Sequence, residues 1–118
     1  TLVRLKESGK KIYSASNGVY ETQVKRLQTA GLYHFFEDMF VSEKIGFEKP
    51  DRNFFDYCFE HIRDFDPSKT IMVGDSLTSD IQGALNSGID SCLYAPKGGS
   101  QTEKATHTIA DLNELLSL

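Results

Sequence analysis

Residues 70–88 read Thr70-Ile71-Met72-Val73-Gly74-Asp75-Ser76-Leu77-Thr78-Ser79-Asp80-Ile81-Gln82-Gly83-Ala84-Leu85-Asn86-Ser87-Gly88. The apolar run Thr70 to Val73 predicts a short buried strand that stops at Gly74-Asp75-Ser76. Ile81, Ala84 and Leu85 then fall on one side of a helix over 78–86, and Gly88 closes it. Ser91-Cys92-Leu93-Tyr94 is the next strand. Strand, helix and strand in so short a span predict a βαβ unit, whose strands run parallel.

The same alternation extends upstream. Ile12-Tyr13-Ser14-Ala15 predicts a strand, Ser16-Asn17-Gly18 a turn, and residues 21–30 a helix carrying Val24 and Leu27 and stopped by Gly31. Phe35, Phe36, Met39, Phe40 and Val41 form the next apolar block, with a strand near 39–42 and a loop over 43–48. Pro50, in Lys49-Pro50-Asp51, suits the first turn of a helix. Phe54, Phe55, Cys58, Phe59 and Ile62 make the strongest helical stripe in the chain, and such a stripe is core rather than a cofactor box. Asp66-Pro67 starts a turn, His107-Thr108-Ile109 a short strand, and Asp111 caps a last helix with Leu112, Leu115 and Leu116. The opening eight residues read as the end of a helix closed by Gly9. Strands alternating with helices in this way predict an α/β fold with a parallel sheet covered on both faces, and ligands at the carboxyl ends of the strands.

Composition bounds the function. The 118 residues carry 13 Lys+Arg against 17 Asp+Glu, a net charge of −4 that argues against a nucleic-acid polymer or an anionic membrane surface as partner. Eight Phe and five Tyr supply too much apolar mass for a disordered chain. No apolar run approaches the ~20 residues of a membrane span. Cys58 and Cys92 lack a metal-binding spacing and read as buried, reduced thiols of a cytoplasmic protein. The chain opens on Thr1 inside a predicted helix, so the expectation is a piece that begins mid-protein, residues 1–118 making one domain at most.

Three polar groups fall where this architecture places chemistry: Ser16 before Asn17-Gly18, Lys49 before Pro50, and Asp75 with Asp80. Ser16, Lys49 and Asp75 are 33 and 26 residues apart, each interval the length of one α/β unit, and the expectation is that all fall at one site. Together they suit phosphate. The Ser16 hydroxyl and the amides of Asn17 and Gly18 are donors to phosphate oxygens, with Gly18 allowing close backbone approach. Lys49 supplies positive charge against a transferring phosphoryl group. Asp75 and Asp80 form an acidic, oxygen-rich pair suited to Mg²⁺, which takes one or two carboxylates along with water and phosphate. Each piece alone is more often a turn, a helix start or a cap; their order on successive units carries the reading. Glu43 and Lys44 read as a solvated loop pair, Lys97 in Ala95-Pro96-Lys97-Gly98-Gly99-Ser100 as a solvated loop lysine, and His34, His61 and His107 as side chains not spaced to bind metal.

An apolar strand ending in Ser-Asn-Gly, a Lys-Pro before a helix, and a strand ending Gly-Asp-x-x-x-x-Asp resemble the second, third and fourth motifs of the haloacid dehalogenase-like (HAD) hydrolase superfamily. Within it, residues 36–57, Phe-Glu-Asp-Met-Phe-Val-Ser-Glu-Lys-Ile-Gly-Phe-Glu-Lys-Pro-Asp-Arg-Asn-Phe-Phe-Asp-Tyr, are similar to the noncanonical pyrimidine 5′-nucleotidases. The resemblance implies a Rossmann-like core and a Mg²⁺-dependent phosphatase of small phosphate esters, nucleoside 5′-monophosphates foremost. By position, Ser16 matches the phosphoryl-binding hydroxyl, Lys49 the lysine that steadies nucleophile and phosphoryl group, Asp75 the Mg²⁺ ligand, and Asp80 the acid supporting the metal directly or from behind.

The family's first motif, a strand followed by Asp-x-Asp, has no match. The one Asp-x-Asp, Asp64-Phe65-Asp66, follows no apolar strand and reads as an exposed turn. The resemblance therefore implies the C-terminal part of a HAD core without its nucleophile, acid/base or cap, inactive by itself. The first-motif strand lies centrally in this fold, so the expectation is that an outside segment completes the sheet, or that the two inner strands re-pair directly or across a homodimer. The alternative reading is a non-catalytic phosphate- or partner-binding module. Metal-free dehalogenase chemistry fits the paired carboxylates poorly, and a response-regulator receiver domain has its motifs in the reverse order.

Overall fold

In the computed structural model, which describes residues 1–97 and 104–118, the elements fall into two units, 1–48 and 49–118. The first unit holds helix α1 (Leu2–Glu7), strand β1 (Tyr13–Ser16), helix α2 (Tyr20–Thr29), strand β2 (Asp38–Val41) and helix α3 (Ser42–Ile45). β1 and β2 pair in parallel, Tyr13 opposite Asp38 and Ser16 opposite Val41. Met39, Phe40, Val41 and Ser42 are buried, and the Tyr13 ring stacks on Phe40 with centroids 5.7 Å apart. Lys6 Nζ donates to Glu37 Oε1 at 2.8 Å, tying α1 to the approach of β2.

The second unit holds helix α4 (Arg52–Glu60), strand β3 (Ile71–Gly74), a π turn over Leu77–Ile81, helix α5 (Gln82–Ser87), strand β4 (Asp90–Tyr94) and strand β5 (His107–Ile109). All three strands are parallel in the order β3-β4-β5. Ser91 and Thr106 exchange hydrogen bonds, each backbone amide donating to the other's hydroxyl, which fixes the start of β5 beside β4. Phe54, Phe55 and Cys58 of α4, Ile81 of the π turn, Ala84 of α5, and Cys92, Leu93 and Ile109 of the sheet are its buried apolar residues. The predicted α/β class and its parallel strands are present, as a Rossmann-like fold requires. The two sheets are separate, so the strand ending at Ser16 and the strand ending before Asp75 do not re-pair directly; β1 and β3 are each the edge of their own sheet.

Four local expectations change. The predicted loop over 43–48 begins as α3, and Glu43 and Lys44 are not merely solvated. Pro50 lies outside the first turn of α4: Asp51 is the N-cap, its carboxylate accepting from the Asn53 amide at 2.8 Å, and the Lys49–Pro50 peptide is cis. The helix predicted over 78–86 begins with the π turn. The last helix is a 3₁₀ segment, Leu112–Ser117, held by a capping box between Asp111 and Glu114. The loop predicted over residues 95–100 lies outside the described residues from 98 onward. Among the described residues, no helix is long and apolar enough to cross a membrane.

Candidate active site

β3 ends at Gly74, and the chain then turns through Asp75 and Ser76 into the π turn. A wide π turn forms here because the Ser76 carbonyl accepts from both the Asp80 and Ile81 amides, each at 3.1 Å. Ser76 caps the turn, its hydroxyl accepting from the Ser79 amide at 3.2 Å. The result aims the Asp80 side chain back under the end of β3. Its Oδ2 accepts from the Ser76 amide at 3.3 Å. A Cβ on Gly74 would collide with that carboxylate, so glycine is required here by space rather than by backbone conformation.

Lys49 completes the cluster. Its Nζ donates to Asp80 Oδ1 at 2.6 Å, with the two side chains only 10% and 8% exposed. The approach to α4 that carries Lys49 is anchored by Asn86 Nδ2, which donates to the Pro50 carbonyl at 3.2 Å. A charge pair so far out of water is held by its mutual attraction, and neither member is left buried alone. Asp75, in contrast, is exposed. It lines an open groove of about 320 Å³ with Leu77, Leu93, Tyr94, Ala95, Pro96 and Lys97, at the carboxyl ends of β3 and β4.

The paired carboxylates suit different tasks. Asp80 has both oxygens engaged, by Lys49 and by the Ser76 amide. Asp75 is exposed and lines the groove. Among the described residues no three His, Cys, Asp or Glu side chains are grouped to hold a metal, so a zinc-type cage is not formed by them. One open carboxylate with a second, braced acid nearby in sequence fits Mg²⁺, which keeps water and phosphate as its remaining ligands.

Ser16, Asn17 and Gly18 belong to the first unit and form a second cluster, with residues the sequence reading passed over. Ser16 ends β1 and is half-buried; Asn17 and Gly18 are exposed. Gly18 has φ 145°, in the region that favours glycine, and a side chain there would also crowd Gln23 Nε2. The Gly18 amide, expected to face phosphate, instead donates to Ser42 Oγ at 2.8 Å. The sequence places Ser42 as the last residue of the predicted strand, and no local signal marks it, because its partner Gly18 is 24 residues upstream.

Asp64-Phe65-Asp66 lies between α4 and β3, with Asp64 at φ 57°. Asp66 caps the 3₁₀ turn Pro67–Lys69, its Oδ1 accepting from the Ser68 hydroxyl and amide. Those bonds hold its carboxyl below the usual range. No strand presents either acid. The histidines have local contacts: His34 packs on the Phe35 ring, His61 stacks on Tyr57, and His107 is half-buried in β5.

Residues 1–88 match the family model described as haloacid dehalogenase-like hydrolase. The chain is 44% identical over 85 residues to the pyrimidine 5′-nucleotidase PynA of Streptococcus pneumoniae, covering 72% of this chain and 36% of that protein. It is 36% identical over 110 residues to the pyrimidine 5′-nucleotidase YjjG of Escherichia coli, covering 92% and 49%. The crystal structure of YfnB from Bacillus subtilis, bound to magnesium, superposes with a TM-score of 0.91 at 40% identity, over 98% of this chain and 52% of that one. The chain thus spans about half the length, or less, of the relatives it matches. With three of that superfamily's motifs in order and the matching α/β fold, the chain belongs to the haloacid dehalogenase-like hydrolase family.

Proposed function

We propose that these residues form part of a Mg²⁺-dependent phosphohydrolase acting on small phosphate esters, nucleoside 5′-monophosphates in particular. The observation that carries the reading is the buried Lys49–Asp80 pair beside the open carboxylate of Asp75 at the end of β3. The nucleotidase names of PynA and YjjG support the substrate class, and the magnesium in YfnB supports the metal.

In this reading the Ser16 hydroxyl and the Asn17 backbone bind phosphoryl oxygens, while Gly18, whose own amide is taken by Ser42, contributes only the absence of a side chain. Lys49 sets a fixed positive charge against the charge that builds up on the phosphoryl group. Asp75 is the direct metal ligand; Asp80, committed to Lys49 and Ser76, orients the lysine and supports the metal from behind. Bound Mg²⁺ would neutralise phosphoryl oxygens and orient the ester for in-line attack. The reaction has two steps: a carboxylate oxygen of an Asp bonds to phosphorus as the ester P–O bond breaks, and the leaving alkoxide takes a proton from a second Asp two residues later, which then accepts one from the attacking water. Water then hydrolyses the aspartyl-phosphate to free phosphate and the regenerated carboxylate. No Asp in residues 1–118 matches that nucleophile; a strand supplied beside β1 or β3, by another segment or by a second copy of the chain, would complete the site.

The test is phosphate release from nucleoside monophosphates by the complete protein with Mg²⁺. Turnover is expected, and it should be lost on chelation and in Lys49→Ala and Asp75→Asn; the 118-residue chain alone should give none. Turnover by the isolated chain that disappears in Asp64→Asn would overturn the assignment. Phosphate binding by the complete protein without any turnover would favour a non-catalytic phosphate-binding module.

A further inference from the structure

We propose that Ser42 and Glu43 are positioning residues that hold the phosphate-binding turn at Ser16–Gly18, an inference that rests on the phosphohydrolase reading above. The two stand at the start of α3, directly after β2, and reach the turn that follows β1. Ser42 is 9% exposed, and its hydroxyl takes the Gly18 amide at 2.8 Å and faces the Gly18 carbonyl at 3.4 Å. The Glu43 amide donates to that same carbonyl at 3.3 Å. Both polar groups of Gly18 are therefore held by two consecutive residues from 24 and 25 positions away.

Glu43 does a second thing. The N-cap of α2 is Val19, which has no side chain able to accept a hydrogen bond, so the N-cap side chain does not answer the first amides of that helix. Glu43 Oε1 accepts from the Tyr20 amide at 3.1 Å, placing a carboxylate at the positive end of a ten-residue helix. Lys44 Nζ lies 3.7 Å from the centre of the Tyr20 ring, so a third residue of α3 grips the same helix start. Gly18 at φ 145° has no side chain to restrict its own conformation, and without these contacts the turn would sample many. A hydroxyl such as Ser16's, two residues before Gly18, binds a phosphoryl oxygen well only if its peptide frame is fixed beforehand. The contacts from α3 supply that fixing, and they place Glu43 on the Tyr20 amide at the same helix end.

The experiment compares Ser16→Ala, Ser42→Ala, Ser42→Thr and Glu43→Ala in the complete protein with Mg²⁺, measuring inhibition by inorganic phosphate and kcat/KM. Ser16→Ala and Ser42→Ala should each weaken phosphate inhibition and lower kcat/KM by about tenfold, the factor set by one ordinary hydrogen bond. Ser42→Thr keeps the hydroxyl and should stay within about twofold of wild type. If Ser42→Ala fails to fold, Glu43→Ala, at an exposed position, gives the same readout. An effect of Ser16→Ala with none from Ser42→Ala or Glu43→Ala overturns the positioning role while leaving the phosphate reading standing. No effect of Ser16→Ala removes the phosphate reading of the turn, and the positioning role with it.

Discussion

Lys49 Nζ lies 2.6 Å from Asp80 Oδ1, and each side chain is about nine-tenths withdrawn from water. The lysine comes from the approach to α4 and the aspartate from the π turn after β3, 31 residues later. A pair this buried is costly to break because the survivor is left charged without a partner.

Lys49→Met and Asp80→Asn should each destabilise the second unit by about 3 kcal/mol. The double variant should lose clearly less than the two together, since it leaves no orphan charge. Urea unfolding followed by circular dichroism measures all three. Additive losses would mean the contact contributes nothing as a pair.

Gly74 and Gly83 are held as glycine by neighbours. A methyl at 74 meets the Asp80 carboxylate, and one at 83 meets Cε2 and Cζ of Phe55. Gly83→Ala should cost about 1–3 kcal/mol, as overpacking a filled core does. Adding Phe55→Leu, which lacks those two ring atoms, should recover part of that loss. A thermal melt series decides it, and no recovery would place the strain elsewhere.

Asp75→Asn and Asp80→Asn should separate by metal affinity and stability. Asp75 is exposed, so its asparagine should leave the unfolding curve without metal unchanged while Mg²⁺ binding, read by calorimetry on the complete protein, is lost. Asp80→Asn should lower stability and weaken Mg²⁺ by about tenfold, as residues supporting a ligand do. Equal Mg²⁺ loss in both, with equal stability, would make Asp80 a direct ligand.

Two groups should contribute to the pH dependence of the first unit. The hydrogen bond from Lys6, with its charge, holds the Glu37 carboxyl below its usual 4.5. That stabilisation is present above pH 4.5 and lost as pH falls through the lower folded value. Burial, reinforced by the charges of Glu37 and Asp38, raises the Tyr13 hydroxyl above its usual 10.0. Its stabilisation is present below pH 10.0 and is lost as pH rises toward the folded value. Glu37→Gln should flatten the acid side of a stability-against-pH curve and Tyr13→Phe the alkaline side. A curve unchanged on both sides would refute the assignment.

The sequence alone determined the α/β class, the strand ends that carry Ser16 and Asp75, the Lys49-Pro50 approach to a helix and the family. These are legible because hydrophobic runs of four residues, helical stripes such as Phe54-Phe55-Cys58, and Gly or Asp at element ends are local signals. Local propensity also explains the misplacements. Pro50 suits a first turn in isolation, but Asp51 can cap and proline cannot, so the helix begins one residue after the cap. A helix over 78–86 is the expected reading of its apolar spacing. The π turn carries Asp80 to both the Ser76 amide and Lys49, 31 residues away in sequence, a pairing that no local pattern encodes. Glu43 and Lys44 looked like a solvated pair because their partners, Tyr20 and Gly18, are more than twenty residues upstream. Only the tertiary structure decided which amides were already satisfied, which of two aspartates is exposed, and which glycines are held by space, because each depends on distances between residues remote in the chain.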